Sequence, residues 1–171
     1  LPEVFALTAV LPETPDESSD GPPEFSVTRS PEGHVNLRGR VSNEIARQTA
    51  ESYAKAAFTG ASVQMAARID ETLPATWPVR TLAGIEALAR LSNGVVTVTP
   101  DDLVVRGKTG NKEARAEIAR LLSEKLGEGA TYTIDVTYVE ALDPTAALPT
   151  PEECLARIQT VLGDRKLNFE P

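Results

Sequence analysis

The chain has one cysteine and one histidine among its 171 residues. An internal disulfide needs two cysteines and a thiolate metal cluster needs several, so the sequence excludes both. A transition-metal site would have to be rich in carboxylates, and no spacing of aspartates resembles a calcium-binding loop. We therefore predict no metal and no cofactor.

Aromatic residues and long apolar runs are also scarce. Aromatics make up 5% of the chain against 41% apolar residues in all, so the core must be mainly aliphatic side chains and alanine. No run approaches the roughly 18 apolar residues of a membrane-spanning helix. The chain opens at Leu1 without an initiator methionine or the basic start of a signal peptide, so we expect a piece of a longer protein.

A basic excess is missing as well. The net charge is −8, but the acidic residues are concentrated at the two ends. Residues 1–24 carry six acids and no bases, residues 25–142 carry fourteen of each, and residues 143–171 carry five acids and three bases. A neutral core argues against nucleic acid as a partner and against strong electrostatic attraction to anionic lipid.

What the chain does contain is a short stretch that occurs twice, 68 residues apart. Residues 35–43 read Val-Asn-Leu-Arg-Gly-Arg-Val-Ser-Asn, and residues 103–111 read Leu-Val-Val-Arg-Gly-Lys-Thr-Gly-Asn. Each copy alternates apolar and polar residues, holds a glycine between two basic residues, and ends at an asparagine that can cap the helix-like run after it. Such an echo predicts two similar structural units.

The first unit, residues 25–74, has the pattern ββαβ. Its alternating and helical periods predict two hairpin strands, a helix and a closing strand over residues 25–30, 35–41, 44–58 and 63–69. Asn43 is the expected helix cap and Gly60 the expected helix end. In this unit no helix precedes the first strand.

The second unit, residues 75–142, has the pattern αββαβ. The same periods predict its elements over residues 77–92, 96–98, 103–107, 112–126 and 132–138. Thr76 and Asn111 are the expected helix caps, and Asn93-Gly94 is expected to stop the first helix. Together the units predict an α+β fold with a mixed sheet of about six strands. Helices should cover one face, because every strand alternates cleanly and leaves a polar second face. Each strand–helix–strand crossover should be right-handed and make its two strands parallel.

The flanks differ from the two units. Residues 1–10 could be a strand or a detached apolar segment, and residues 11–24 form an acidic linker rich in proline and serine. Residues 143–171 combine a linker, a capped helix with an apolar stripe, and the start of a strand; Thr150 and Glu153 suggest a capping box with Pro151 between them. Because the first unit lacks a helix, part of its sheet needs cover from residues 1–10, from the last helix or from another protomer.

The two units resemble the BON domain (bacterial OsmY and nodulation). The residues that carry this resemblance are HVNLRGRVSNEIARQTAESYAKAAFTGASVQMAARI in the first unit and LVVRGKTGNKEARAEIARLLSEKLGEGATYTIDVTYV in the second. The second copy departs from the family pattern at Lys108-Thr109 and in the Gly-Glu-Gly-Ala at its helix exit. The C-terminal ECLARIQTVLGDRKLNFEP is similar to the start of a domain like that of outer-membrane protein A.

These resemblances imply a place in the bacterial cell envelope. Tandem BON-like units before such a domain imply a periplasmic, outer-membrane-associated protein, held to peptidoglycan by a domain downstream of Pro171. BON domains are associated with attachment to phospholipid membranes. The resemblance thus implies a non-enzymatic platform or spacer that binds membrane lipid or another envelope component. The alternative is a protein–protein assembly module of the envelope.

Two residue sets are candidates for that function. Gly39 and Gly107 fall on the helix-facing side of their strands, where glycine lets the following helix approach closely or permits a bulge. The opposite face carries two basic pairs, Arg38 with Arg40 and Arg106 with Lys108. Such pairs can bind phosphate, a lipid headgroup or a glycan, or they can form cross-strand pairs with neighbours such as Asp70 or Asp135.

The residues that most often carry catalysis have simpler explanations here. We expect His34, at a hairpin tip, to be a solvated turn residue rather than a general base. We expect Cys154, on an apolar helical stripe, to be a buried and inert thiol. The sequence has no glycine-rich phosphate loop, no Gly-x-Ser-x-Gly motif and no His-Glu-x-x-His motif. We therefore assign no catalytic residue.

Overall fold

A computed structural model describes residues 21–146 and 148–164. Residues 1–10, expected as a strand or a detached apolar segment, and the strand expected to start at residues 167–169 lie outside the described residues. Six strands run over Phe25–Arg29 (β1), His34–Val41 (β2), Ser62–Ile69 (β3), Asn93–Val98 (β4), Asp102–Thr109 (β5) and Thr131–Tyr138 (β6). Four α-helices run over Glu44–Ala57 (α1), Trp77–Ala89 (α2), Ala114–Leu126 (α3) and Pro151–Asp164 (α4). None of the described helices is long and apolar enough to cross a membrane.

The six strands form a single mixed sheet in the order β3-β2-β1-β4-β5-β6. Within each unit the hairpin is antiparallel, while β2 pairs with β3 and β5 with β6 in parallel. The units join where β1 and β4 run antiparallel, with Phe25 opposite Val98 and Val27 opposite Val96. The predicted α+β class is therefore confirmed, and the two units share one continuous sheet.

Local sequence explains the starts of two of the four described helices, α1 and α4. The Asn43 side chain accepts a 2.8 Å hydrogen bond from the amide of Ala46, as expected of a cap. At α4, the Thr150 amide donates to the Glu153 carboxylate at 2.9 Å, and the Glu153 amide donates to the Thr150 hydroxyl at 3.2 Å. This reciprocal pair confirms the capping box.

Two local expectations were wrong, and a third was right in position only. Asn111 precedes a turn instead of capping α3; its side-chain oxygen accepts from the Glu113 amide at 2.9 Å, and the helix begins only at Ala114. Thr76 stands at the cap position of α2, but its side chain makes no capping hydrogen bond. Asn93-Gly94 does not end that helix, which stops at Ala89; both residues already belong to β4, since tertiary pairing with β1 and β5 extends the strand.

Helix α2 is the centre of the helical layer. It contacts α1 on one side and α3 on the other, and it packs on β1, β4 and β5. Its fully buried residues point in several directions around the helix: Trp77, Ala83, Ile85, Ala87 and Leu88. A helix that is apolar nearly all round is surrounded by protein. The leading helix of the second unit therefore covers the junction of both units and supplies the cover that the first unit lacks.

Candidate functional site

The surface of the sheet opposite the helices, here called the open face, is the broadest candidate surface. Alternation places on it the side chains of Ser26, Thr28, His34, Asn36, Arg38, Arg40, Ser62, Gln64, Ala66, Arg68, Asn93, Val95, Thr97, Asp102, Val104, Arg106, Lys108, Thr131, Thr133, Asp135 and Thr137. These side chains are exposed or half-buried. The cations on this face outnumber the acids, which are Asp102 and Asp135, so the face is basic although the two units together are neutral.

All four predicted basic residues lie on the open face, but the structure does not bring the two pairs together. Strands β1 and β4 lie between β2, which carries Arg38 and Arg40, and β5, which carries Arg106 and Lys108. Adjacent strands are about 4.8 Å apart, so the pairs are roughly 15 Å apart across the sheet. Serine, threonine and valine side chains fill the space between them. The basic residues therefore form two separate corners of one face.

In the corner on β2, one of the two basic residues is already bound to neighbouring residues of the chain. Arg40 forms an ion pair with Asp70 at 3.1 Å and also donates to the Gly21 carbonyl oxygen at 3.0 Å. Hydrogen bonds from Thr72, together with Arg40, lower the pKa of the Asp70 carboxyl. The predicted pairing with Asp70 is confirmed. Arg38 lies two residues before Arg40 on β2. It is exposed and has no ion pair among the described residues.

The corner on β5 is more open. Asp135 of β6 lies directly beside Arg106 in the parallel register, and Thr137 lies beside Lys108. Arg106 and Lys108 are both exposed, and within the described part of the chain neither forms an ion pair of 4.0 Å or less. Arg106 and Asp135 are therefore neighbours in the strand register, as expected, but they do not form an ion pair. This corner keeps two cations accessible to a ligand.

The two glycines predicted to receive a helix instead allow strands to approach each other. A Cβ on Gly39, whose φ is +106°, would collide with the Glu24 carbonyl oxygen and lie 2.8 Å from the Phe25 Cα. A Cβ on Gly107 would collide with the Asn93 carbonyl oxygen and lie 2.9 Å from the Gly94 Cα. The expected approach by the following helix was wrong, because the neighbouring strand occupies that space. Strand β2 pairs with β3 on both sides of Gly39, and β4 pairs with β5 on both sides of Gly107, so neither glycine marks a bulge.

His34 is exposed at the start of β2, as expected for a turn residue. It lines a shallow polar depression at the end of the sheet with Ser30, Glu32, Asn36, Ser62 and Gln64. Its backbone amide donates to the Ser30 hydroxyl at 3.2 Å. Among the described residues the imidazole has no hydrogen-bond partner that would orient it, so the structure gives this side chain no arrangement of base and nucleophile.

Cys154 is exposed, and the expectation of a buried thiol was wrong. Helix α4 is amphipathic, but its apolar stripe is not packed on the sheet; Leu155, Ile158, Val161 and Leu162 are 52–62% exposed. The stripe predicted the helix correctly because the period is local. Burial of that stripe depends on a partner surface, and among the described residues no surface covers it.

A charged cluster that no sequence pattern indicated links the three packed helices α1, α2 and α3. Glu86 of α2 accepts a 2.8 Å hydrogen bond from the Tyr53 hydroxyl of α1 and forms a 2.5 Å ion pair with Lys125 of α3. Partial burial would raise the pKa of Glu86, but the hydrogen bonds from Lys125 and Tyr53 outweigh it and lower the pKa. The bond from Lys125 to Glu86 raises the pKa of Lys125. The periodicity of each helix shows which of its residues are polar. It does not show that Tyr53, Glu86 and Lys125, which belong to three different helices, contact one another.

The described residues contain no cluster of metal ligands. No group of three or more His, Cys, Asp or Glu residues in the described ranges is arranged to hold a metal ion. Comparison of the chain with protein families and with curated proteins finds no match.

Proposed function

We propose that the protein is a non-enzymatic binding platform that presents its open face to a phospholipid surface and acts as a spacer in the cell envelope. The observation that carries this proposal is the separation of charge between the two sides of the molecule. Apart from Arg40 with Asp70, every ion pair among the described residues lies in the helical layer. Acids and bases therefore neutralise each other there, while Arg38, Arg106 and Lys108 remain without an acidic contact.

The spacing of the basic corners favours an extended anionic surface over a small anion. A single phosphate or carboxylate is held tightly when several donors converge on it within a few ångströms. Here the two corners are roughly 15 Å apart, so one small anion cannot contact both. A layer of headgroups offers anions at both positions, and each basic residue near such a layer contributes about 1 kcal/mol. Neutral threonine and serine side chains between the corners make no charge repulsion with the layer.

The location and the spacer role rest on the resemblance to BON domains and to the start of an outer-membrane-protein-A-like domain. On this proposal the full protein is periplasmic and associated with the outer membrane, and its downstream domain binds peptidoglycan. The capped helix α4 then leads from the platform towards that domain. We propose no catalytic role, because the described residues bring no general base next to a nucleophile.

Vesicle co-sedimentation tests the lipid proposal directly. We expect the chain to sediment with vesicles rich in phosphatidylglycerol at low salt and much less with pure phosphatidylcholine vesicles. The triple variant Arg38→Glu, Arg106→Glu and Lys108→Glu should lose this binding, because it reverses three exposed cations of the open face. A control variant with the same change in net charge, Arg47→Glu, Arg115→Glu and Arg120→Glu, alters only the helical layer and should retain most of the binding.

Two outcomes would remove the proposal. One is an absence of binding to phosphatidylglycerol vesicles at low salt. The other is an equal loss of binding in both triple variants, which would show that net charge and not the open face is responsible. Circular dichroism of each variant shows whether it is folded before its binding is compared.

A further inference from the structure

We infer that strand β6 pairs with the same strand of a second copy, so that two sheets join edge to edge. Strand β6 is the last strand of the sheet, and within the described residues no strand pairs with its outer side. Its eight residues read Thr-Tyr-Thr-Ile-Asp-Val-Thr-Tyr. Tyrosine, threonine, isoleucine and valine are the residues that favour strands. The strand has no proline and no lysine, two of the devices with which proteins protect a free edge.

The backbone of β6 offers an alternating row of hydrogen-bonding groups to a partner. The Val139 amide, directly after the strand, donates to the Thr109 carbonyl oxygen of β5 at 2.8 Å. Successive residues of a strand direct their backbone groups to opposite sides, so odd-numbered residues of β6 face β5 and even-numbered residues face outward. Tyr132, Ile134 and Val136 therefore present their amides and carbonyls to the free side.

The chain already joins its own two units in this manner. Strands β1 and β4 belong to different units and pair antiparallel at the centre of the sheet, without a connecting hairpin. The opposite edge of the sheet is less suited to such a contact. Strand β3 contains the pair Ala66 and Ala67, and alanine is depleted in strands.

The charges of β6 select one register. Two copies related by a twofold axis must pair antiparallel, with each residue opposite one that points to the same face. Centring the pair on Ile134 or on Asp135 gives the same overlap of seven residues, and centring it on Ile134 sets Thr133 opposite Asp135 of the second copy. Centring it on Asp135 would set the two carboxylates opposite each other, and like charges in that position are destabilising. In the register centred on Ile134, each Asp135 keeps Arg106 as its neighbour on the other side.

Sedimentation equilibrium of the whole chain tests this inference without lipid, so its result is separate from that of the vesicle assay. We expect a concentration-dependent dimer in the micromolar to millimolar range, because a contact between single strands is small. Thr133→Asp places two pairs of like charges opposite each other and should weaken the dimer about tenfold. The double variant Thr133→Asp with Asp135→Thr exchanges the two residues and should restore it. Both positions are exposed, so folding is preserved.

A matched control lies on the other edge of the sheet. Ala66→Asp places the same exposed charge on β3 and should leave the dimer unchanged. A chain that is monomeric at every concentration overturns the inference. So does a dimer that Ala66→Asp weakens as much as Thr133→Asp, a double variant that stays as weak as the single one, or a dimer that disappears when residues 150–171 are deleted, which would place the contact at α4.

Discussion

The indole nitrogen of Trp77 donates a 2.8 Å hydrogen bond to the carbonyl oxygen of Arg40. Trp77 is the first residue of α2, which leads the second unit, whereas Arg40 belongs to β2 of the first unit. The indole is completely buried. This single bond therefore fixes the helix of one unit to a strand of the other.

Substitution of Trp77 measures the strength of that link. Trp77→Phe keeps most of the apolar surface but leaves the Arg40 carbonyl oxygen without its donor, which costs about 1–3 kcal/mol of unfolding free energy. Trp77→Ala also removes the ring and should cost about 3–5 kcal/mol. Urea denaturation followed by circular dichroism gives both values. A loss within about 0.5 kcal/mol for Trp77→Phe, the range of surface substitutions, would show that the bond contributes nothing.

The shared helix also predicts that the first unit does not fold alone. A fragment of residues 21–74 lacks α2, so Phe25 and Val27 of β1 would lose the helix that packs on their strand. We expect this fragment to give the narrow amide NMR spectrum of an unfolded chain. A fragment of residues 21–142 should give a dispersed spectrum and unfold in one transition. A dispersed spectrum from the short fragment, or two transitions in the long one, would contradict this.

The strand glycines predict a ranking of substitutions. Gly107→Ala forces β4 and β5 apart and should lower the unfolding free energy by about 1–3 kcal/mol. Gly39→Ala meets a similar collision and in addition places an L-residue at a φ of +106°, which adds about 1–2 kcal/mol. Gly163→Ala in α4, where an added Cβ meets nothing within 4 Å, is the control and should leave core stability unchanged. Equal stability of Gly39→Ala and the wild type would refute the close approach.

The cluster around Glu86 predicts a pH-dependent contribution to stability. The pKa of Glu86 is lowered from 4.5 in the folded state, so the charged carboxylate stabilises the fold above that value, and this contribution is lost as the pH falls through the lowered pKa. Glu86→Gln should therefore cost about 1 kcal/mol at neutral pH and almost nothing in acid. The raised pKa of Lys125 keeps its own contribution until strongly alkaline pH.

Urea denaturation of wild type and variant at neutral and acid pH measures this difference. The control is Glu124→Gln, which removes an ion pair with Arg120 whose side chains are 64% and 82% exposed. Its effect should be small at every pH, because solvent screens exposed pairs. A Glu86→Gln effect that does not change with pH would show that the variant acts through packing and not through charge.

The elements of the sheet and helices were largely predictable, because their causes are local. Alternation in β6 and the cap at Asn43 depend on residues close together in the chain. The end of α2 and the start of α3 were misplaced where long-range pairing extended β4 and where Asn111 took part in a turn. The four basic residues were assigned to the right face for the same local reason. Their separation into two corners was not predictable, since it depends on which strands lie between β2 and β5.

The sequence by itself determined the repeated units, the α+β class and the polar character of the open face, because a period of two or of 3.6 residues is a property of a short segment. The tertiary structure alone decided that β1 and β4 join the units, that α2 serves both of them, and that Gly39 and Gly107 admit a neighbouring strand instead of a helix. It also decided that the stripe of α4 and Cys154 are exposed. Each of these depends on contacts between residues far apart in the chain, and a local pattern shows only that a face is apolar, not what covers it.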